Sequence, residues 1–285
     1  MSARAITANL RNFCGGFTLV EMAVVLVVIG LLIMTVFPAL IALRMGGQRS
    51  LTQSNLQALM LATASYVQAN GCLPCPTPAA TSGGGFGRAR GDTVALACNG
   101  CPAPEGIPPF ASLGVPASVA HDGWGGWITM RVDPALTVSG FGSVTPPTAP
   151  CTAADLAAAT PTCAQLNASQ KGLCQAKLSA AGRVNIQTPG GASQQAAVIF
   201  VSHGSKGYGS FQANAMPKLI NFQNGSRMSF PAGFACPQNP AVCNADGQNH
   251  FVNAMPQDGY DDMLVFADRN ALVSMLGNGA CQTAW

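Results

Sequence analysis

The chain has 285 residues and a formal net charge of +3, from fourteen Lys and Arg against eleven Asp and Glu. Only 9% of its residues are charged, where about a quarter is usual, so no basic field is present that would make nucleic acid the main partner. Acid–base chemistry is equally thin, with three histidines and two glutamates, and the expectation is a protein that is not an enzyme.

The first sixteen residues are polar, with Arg4, Arg11 and no acid. Residues 22–43 then contain no ionisable group. At 1.5 Å per residue they would make about 33 Å of helix, roughly the hydrocarbon thickness of a bilayer. One carboxylate, Glu21, stands just inside the start of this run. A secretory signal would place a small-x-small cleavage site after the apolar stretch, but Arg44-Met45-Gly46-Gly47 follows it here. Cys14 precedes the run instead of ending it, which argues against a lipoprotein signal. The other ten cysteines, at 72, 75, 98, 101, 151, 163, 174, 236, 243 and 281, all lie beyond it. An even set on the far side of one span points to an oxidising compartment.

The segment Gly16-Phe17-Thr18-Leu19-Val20-Glu21, with the apolar residues after it, resembles the class III signal of the type IV pilin and type II secretion pseudopilin superfamily. The resemblance implies cleavage after Gly16 by a prepilin peptidase and N-methylation of Phe17, leaving a side-chain charge of +1 once Arg4 and Arg11 are lost (12 basic against 11 acidic). It further implies that Glu21 pairs with the N-terminal amine of a neighbouring subunit, and that Pro38 marks the kink common in the family's helix. The expected fold is an α+β pilin-like fold, with a long N-terminal helix, transmembrane in its first half, packed on an antiparallel β-sheet with disulfide-pinned loops. The corresponding regions are a leader at 1–16, a transmembrane and filament-core helix at 17–43, the exported half of the helix at 44–71, and a periplasmic head at 72–285. The expected location is the bacterial inner membrane, single-pass with the C-terminal domain in the periplasm, and then a filament.

Within 50–70 a loosely 3.6-periodic set, Leu51, Leu56, Leu59, Met60, Ala62, Ala64, Tyr66 and Val67, continues the helix. Gly46-Gly47 is a weak point, and Gly71 ends the helix near Asn70. Cys72-Leu73-Pro74-Cys75 and Cys98-Asn99-Gly100-Cys101 have the spacing of a four-thiolate zinc site, but an exported location favours disulfides, whose connectivity the sequence leaves open. Residues 76–92 read as an irregular loop. Residues 122–133 read as a turn leading into a strand, where Trp124 and Trp127, three apart, would not share a face; packing against the helix is the expected role for at least one. An Ala/Thr/Pro-rich insertion follows over 135–180, with a short helix at 152–159. Strands are expected at 183–187 and 195–202, the second central because its apolar run is continuous.

The loop His203-Gly204-Ser205-Lys206-Gly207-Tyr208-Gly209 lacks Walker spacing and an acid to orient a Ser–His pair. Asp258, Asp261 and Asp262 supply hard oxygens of the kind calcium takes, against the alternative that they cap turns and the entry to the last strand. Residues 212–257 form a long loop closed by Cys236 and Cys243, followed by a strand at 262–267 and a short helix capped by Asp268. The expected partners are other pilin or pseudopilin subunits, the prepilin peptidase/N-methyltransferase and an inner-membrane assembly platform, with no cofactor beyond the calcium alternative. The expected function is a minor, tip or initiating filament subunit. The alternatives are a pilus-borne adhesin or DNA-uptake subunit, and a membrane-anchored exported enzyme.

Overall fold

A computed structural model describes residues 18–91, 98–138, 183–188, 191–212, 226–255 and 260–277, with the side chains of 35–39 excepted. Gly16, Phe17, Cys151, Cys163, Cys174, Cys281, Asp258, the side chain of Pro38 and the expected helix at 152–159 therefore lie outside the described residues. The chain divides into two compact units, Met1–Gly47 and Gln48–Trp285.

Helix α1 runs over Leu19–Asn70 without interruption at Gly46-Gly47, so the glycine pair does not break it. It stops where the sequence demands. Gly71 adopts φ +71, the left-handed geometry of a helix C-terminus, and its N–H donates to the Val67 carbonyl at 2.8 Å. No helix among the described residues is long and apolar enough to cross a membrane. The expected transmembrane first half over 17–43 is corrected on that finding, and with it the single-pass inner-membrane topology and periplasmic head. Glu21 stands in the first turn, and the apolar stretch described with its side chains, 22–34, makes only about 20 Å of helix against roughly 30 Å of hydrocarbon.

In the second unit α1 buries a stripe made of Thr52, Leu56, Leu59, Met60, Thr63 and Val67. The three- and four-residue steps put these on one helix face. Opposite lies a four-stranded antiparallel sheet in the order β1-β2-β5-β7, formed by Glu105–Gly106, Thr129–Val132, Val198–Ser202 and Met263–Ala267. Every residue of β5 is buried. Its side chains alternate: Val198 and Phe200 join the core containing Leu56 and Leu59, while Ile199 and Val201 join a second core with Val184, Ile186 and Phe251. That two-sided burial is why the strand reads as unbroken apolar sequence.

The second core belongs to a separate three-stranded sheet, which a single antiparallel sheet did not anticipate. Its order is β4-β3-β6, from Ser193–Ala196, Val184–Gln187 and His250–Val252, and β3 pairs β6 in parallel. A short helix α2, Pro240–Cys243, precedes β6. Helix α3, Arg269–Met275, closes the described chain, with the Asp268 carboxylate accepting from the Ala271 N–H at 2.6 Å. Disulfides join Cys72 to Cys98, Cys75 to Cys101 and Cys236 to Cys243. The two Cys-x-x-Cys segments are thus cross-linked to each other and hold no thiolates for zinc.

Truncating Phe200 removes a large, fully buried side chain and leaves a cavity beneath α1. Phe200→Ala is expected to cost about 3–5 kcal/mol, whereas Leu51→Ala, at a side chain 52% exposed, should change stability by less than about 0.5 kcal/mol. Denaturant titration of the two variants checks the difference.

Candidate functional site

The N-terminal part of α1 opens with a cap. Thr18 Oγ1 accepts the Glu21 N–H at 3.2 Å, and the Thr18 carbonyl accepts from Met22 at 3.1 Å. Thr18-Leu19-Val20-Glu21 has the T-x-x-E spacing of a capping box, a signal present in the sequence beneath the family motif. Glu21 is exposed, and its charge in the first turn complements the helix dipole. Around it the surface is apolar: Leu19 is 87% exposed and Leu26 65%. Leu19, Val20, Ala23, Val24, Val27 and Val28 line a shallow depression of about 330 Å³.

In the head, polar side chains gather where β2 and β5 meet the loops. The Asp122 carboxylate is buried. Its Oδ1 accepts the N–H groups of Trp124 at 3.0 Å and Gly126 at 2.8 Å, and its Oδ2 accepts the Ser202 hydroxyl at 2.8 Å. Burial pushes its pKa up, while the Ser202 and backbone bonds pull the other way. The next residue reaches α1: the Gly123 N–H donates to Thr52 Oγ1 at 2.9 Å. A Cβ at 123 would overlap the Gln48 carbonyl, so only glycine permits this approach.

His203 follows β5 directly, with its imidazole Nε2 2.9 Å from Thr129 Oγ1. Burial lowers its pKa to about 4, so the ring is neutral at ordinary pH. Ser205 bonds elsewhere, donating both its N–H (2.8 Å) and its hydroxyl (2.7 Å) to Asp261 Oδ2. Ser205 and His203 therefore form no Ser–His relay.

Asp261 and Asp262, offered as hard oxygens for calcium, have separate partners. Asp262 is buried and accepts from Asn244 Nδ2 at 2.8 Å, and burial raises its pKa to about 8. Among the described residues no group of three His, Cys, Asp or Glu ligand atoms gathers around either aspartate. The group that does gather is Cys236, Cys243 and His250, all within 4.8 Å, but its two sulfurs are bonded to each other and are not thiolates.

Trp124 and Trp127 lie in the turn before β2, not in a strand, and both line one cavity of about 230 Å³. Trp127 is 2% exposed and packs among Phe86, Phe110 and His121 instead of against α1. A charged cluster reaches one lining residue, Phe211, through Arg227. Glu105 pairs with Arg131 at 2.5 Å and with Arg227, and the Arg227 guanidinium lies 4.1 Å from the centroid of the Phe211 ring. Burial lowers the pKa of Arg227 to about 10. Sequence reasoning did not bring these three together, because the pairings span β1, β2 and a distant loop. The signal available was that Glu105 is the one glutamate besides Glu21.

Residues 11–37 match the prokaryotic N-terminal methylation motif. This is a class III, prepilin-type signal, consistent with a pilin-family precursor, and it implies processing by a prepilin peptidase/methyltransferase. No curated protein and no solved structure matches the chain.

His203 and Asp262 give stability opposite pH dependences. The unfolded histidine takes up a proton near its ordinary 6.5 but the folded one only near 4, so stability is lost as pH falls through that window. The folded Asp262 stays protonated up to about 8 while the unfolded carboxyl ionises near 3.8, so stability is lost as pH rises between them. Relative to wild type, His203→Gln should gain stability on acidification from 6.5 to 4. Asp262→Asn should gain it as pH rises from 4 to 8. Urea titrations at stepped pH read both slopes.

Proposed function

We propose that the chain is a structural subunit of a type IV pilus or a type II secretion pseudopilus, cut after Gly16 so that Phe17 becomes the methylated N-terminus. The observation that carries this is the methylation motif at 11–37, running into a capped helix that holds Glu21 in its first turn amid exposed apolar side chains. Such a surface gains free energy when copies of the helix pack together. Packing also desolvates Glu21, which then requires a cation. The Phe17 amine of a neighbouring subunit, four residues upstream in its own chain, supplies one. Partners on this reading are other subunits and an assembly platform.

The size of the 72–285 region and its disulfide-pinned loops favour a minor, tip or initiating subunit over a bulk one. The reading gives the chain no reaction of its own. In support, His203 is engaged by Thr129 and Ser205 by Asp261, so neither is arranged as base and nucleophile.

Two outcomes are expected. Intact-mass analysis of the mature protein should give a chain starting at Phe17 with one added methyl group, and a retained leader would refute the processing step. Glu21→Ala should be processed normally yet enter filaments at about a tenth of the wild-type level or less, a loss of the size expected for one desolvated charge pair. Quantitative immunoblotting of sheared filaments measures this, and undiminished incorporation would count against the pairing.

A further inference from the structure

The cavity beside the Trp124 turn has walls that carry a definite pattern of donors and acceptors. We propose that it binds a neutral, hydroxyl-bearing ring, a carbohydrate residue, with one face laid against the Trp124 indole. The cavity, about 230 Å³, is bounded by Trp124, Phe211 and Met228 on its apolar side and by Ser205, Ser210 and Gln212 on its polar side. None of its lining residues is ionisable, so a charged ligand would give up hydration without meeting a counter-charge.

The hydrogen bonds already made decide what the polar side can offer. Ser205 donates its hydroxyl to Asp261 Oδ2 and Ser210 donates its own to the Gly207 carbonyl, each at 2.7 Å. With their protons committed, both oxygens present lone pairs to the cavity and act as acceptors. Gln212 Oε1 accepts from Ser226 at 3.4 Å, which leaves its NH2 as the donor. Two acceptors beside a donor suit hydroxyl groups, which both give and take a hydrogen bond.

The glycine-rich loop also fails as an anion cradle, because four of its amides are occupied. Gly204 N–H bonds the Ser202 hydroxyl oxygen, Ser205 N–H bonds Asp261, Gly207 N–H bonds the His203 carbonyl and Gly209 N–H bonds the Met228 carbonyl. Phosphate and carboxylate are thereby disfavoured. An apolar peptide side chain would satisfy the Trp124 wall but offer nothing to the free serine lone pairs or the Gln212 NH2 facing it.

Only one of the two tryptophans can serve as a platform. Trp127 is 2% exposed, its ring enclosed by its aromatic neighbours, whereas Trp124 is half-buried. The Trp124 backbone is fixed by the bond to Asp122 Oδ1. An indole offers a broad apolar face held at low entropy cost, which suits the C–H face of a sugar ring.

The test uses the full-length protein in detergent, with the methyl glycosides of glucose, galactose and N-acetylglucosamine as probes. Saturation-transfer NMR and tryptophan fluorescence read binding. At least one glycoside should bind, Trp124→Ala should weaken it roughly tenfold, and Trp124→Phe should keep most of it. Gln212→Ala should also weaken binding, and together with Trp124→Phe it carries the test if the alanine variant at 124 does not fold. The proposal is overturned if no glycoside binds up to its solubility limit, if Gln212→Ala or a folded Trp124→Ala binds unchanged, or if leucine amide or inorganic phosphate binds more tightly than every glycoside. Filament assembly is not read by this experiment, so its result is independent of the Glu21 pairing.

Discussion

The carboxylate of Asp122 is where α1, β5 and the turn before β2 are tied to one another. A buried acid with no cation hydrogen-bonded to it is costly, and here three donors offset that cost: two backbone N–H groups of its own turn and the hydroxyl of Ser202 at the end of β5. The adjacent Gly123 donates to Thr52 on α1. Helix, central strand and the entry to β2 are therefore fixed within a few residues of one another. The cavity walls follow from the same tie, since Trp124 and Gly126 are its immediate ligands and His203 and Gly204 directly follow Ser202.

Among the described residues, the charges at Glu105, Arg131 and Arg227 have a structural role. Glu105 holds two arginines from different parts of the chain, and Arg131 also donates to the Gly247 carbonyl at 3.0 Å. A buried pair of this kind contributes less to net stability than to uniqueness of arrangement, because desolvation offsets most of the attraction. The apolar layers do the larger share, with β5 serving two cores at once. The disulfides at 72–98 and 75–101 shorten the free chain between α1 and β1 and so lower the entropy of the unfolded state.

What was legible in the sequence was local. Gly71 ended α1, Asp268 capped the last helix, and the apolar run within 195–202 announced a central strand, although the chain divides that stretch between β4 and β5 in different sheets. Each of these is decided within one turn or one strand. The pairing of β3 with β6, the crossing of the two Cys-x-x-Cys segments and the convergence on Glu105 depend on contacts between residues far apart in sequence, which periodicity does not encode. The turn before β2 was legible at 122–133, but not the packing of Trp127, which meets Phe86, Phe110 and His121. Trp124 and Trp127 lie in that turn, and there the chain reverses and brings both indoles to one cavity. The Asp122 tie is illegible for a different reason: an aspartate before glycine reads as an ordinary turn residue until Ser202, eighty residues later, closes on it.

The two parts of α1 differ in what they require. Over 52–67 the buried residues form a stripe, and one sheet of the same chain covers it. Over 19–34 the apolar residues face every direction: Leu19, Val20, Leu26, Val27 and Met34 are all more than 60% exposed. A helix apolar on all sides is stable in water only when surrounded, and a sheet packed on one side covers one face. The stripe is therefore a solution within one molecule, whereas the all-round surface demands neighbours on several sides. On the filament reading proposed above, a cylinder of like helices would meet that demand, with Glu21, at the capped tip, as the polar contact that would set their register.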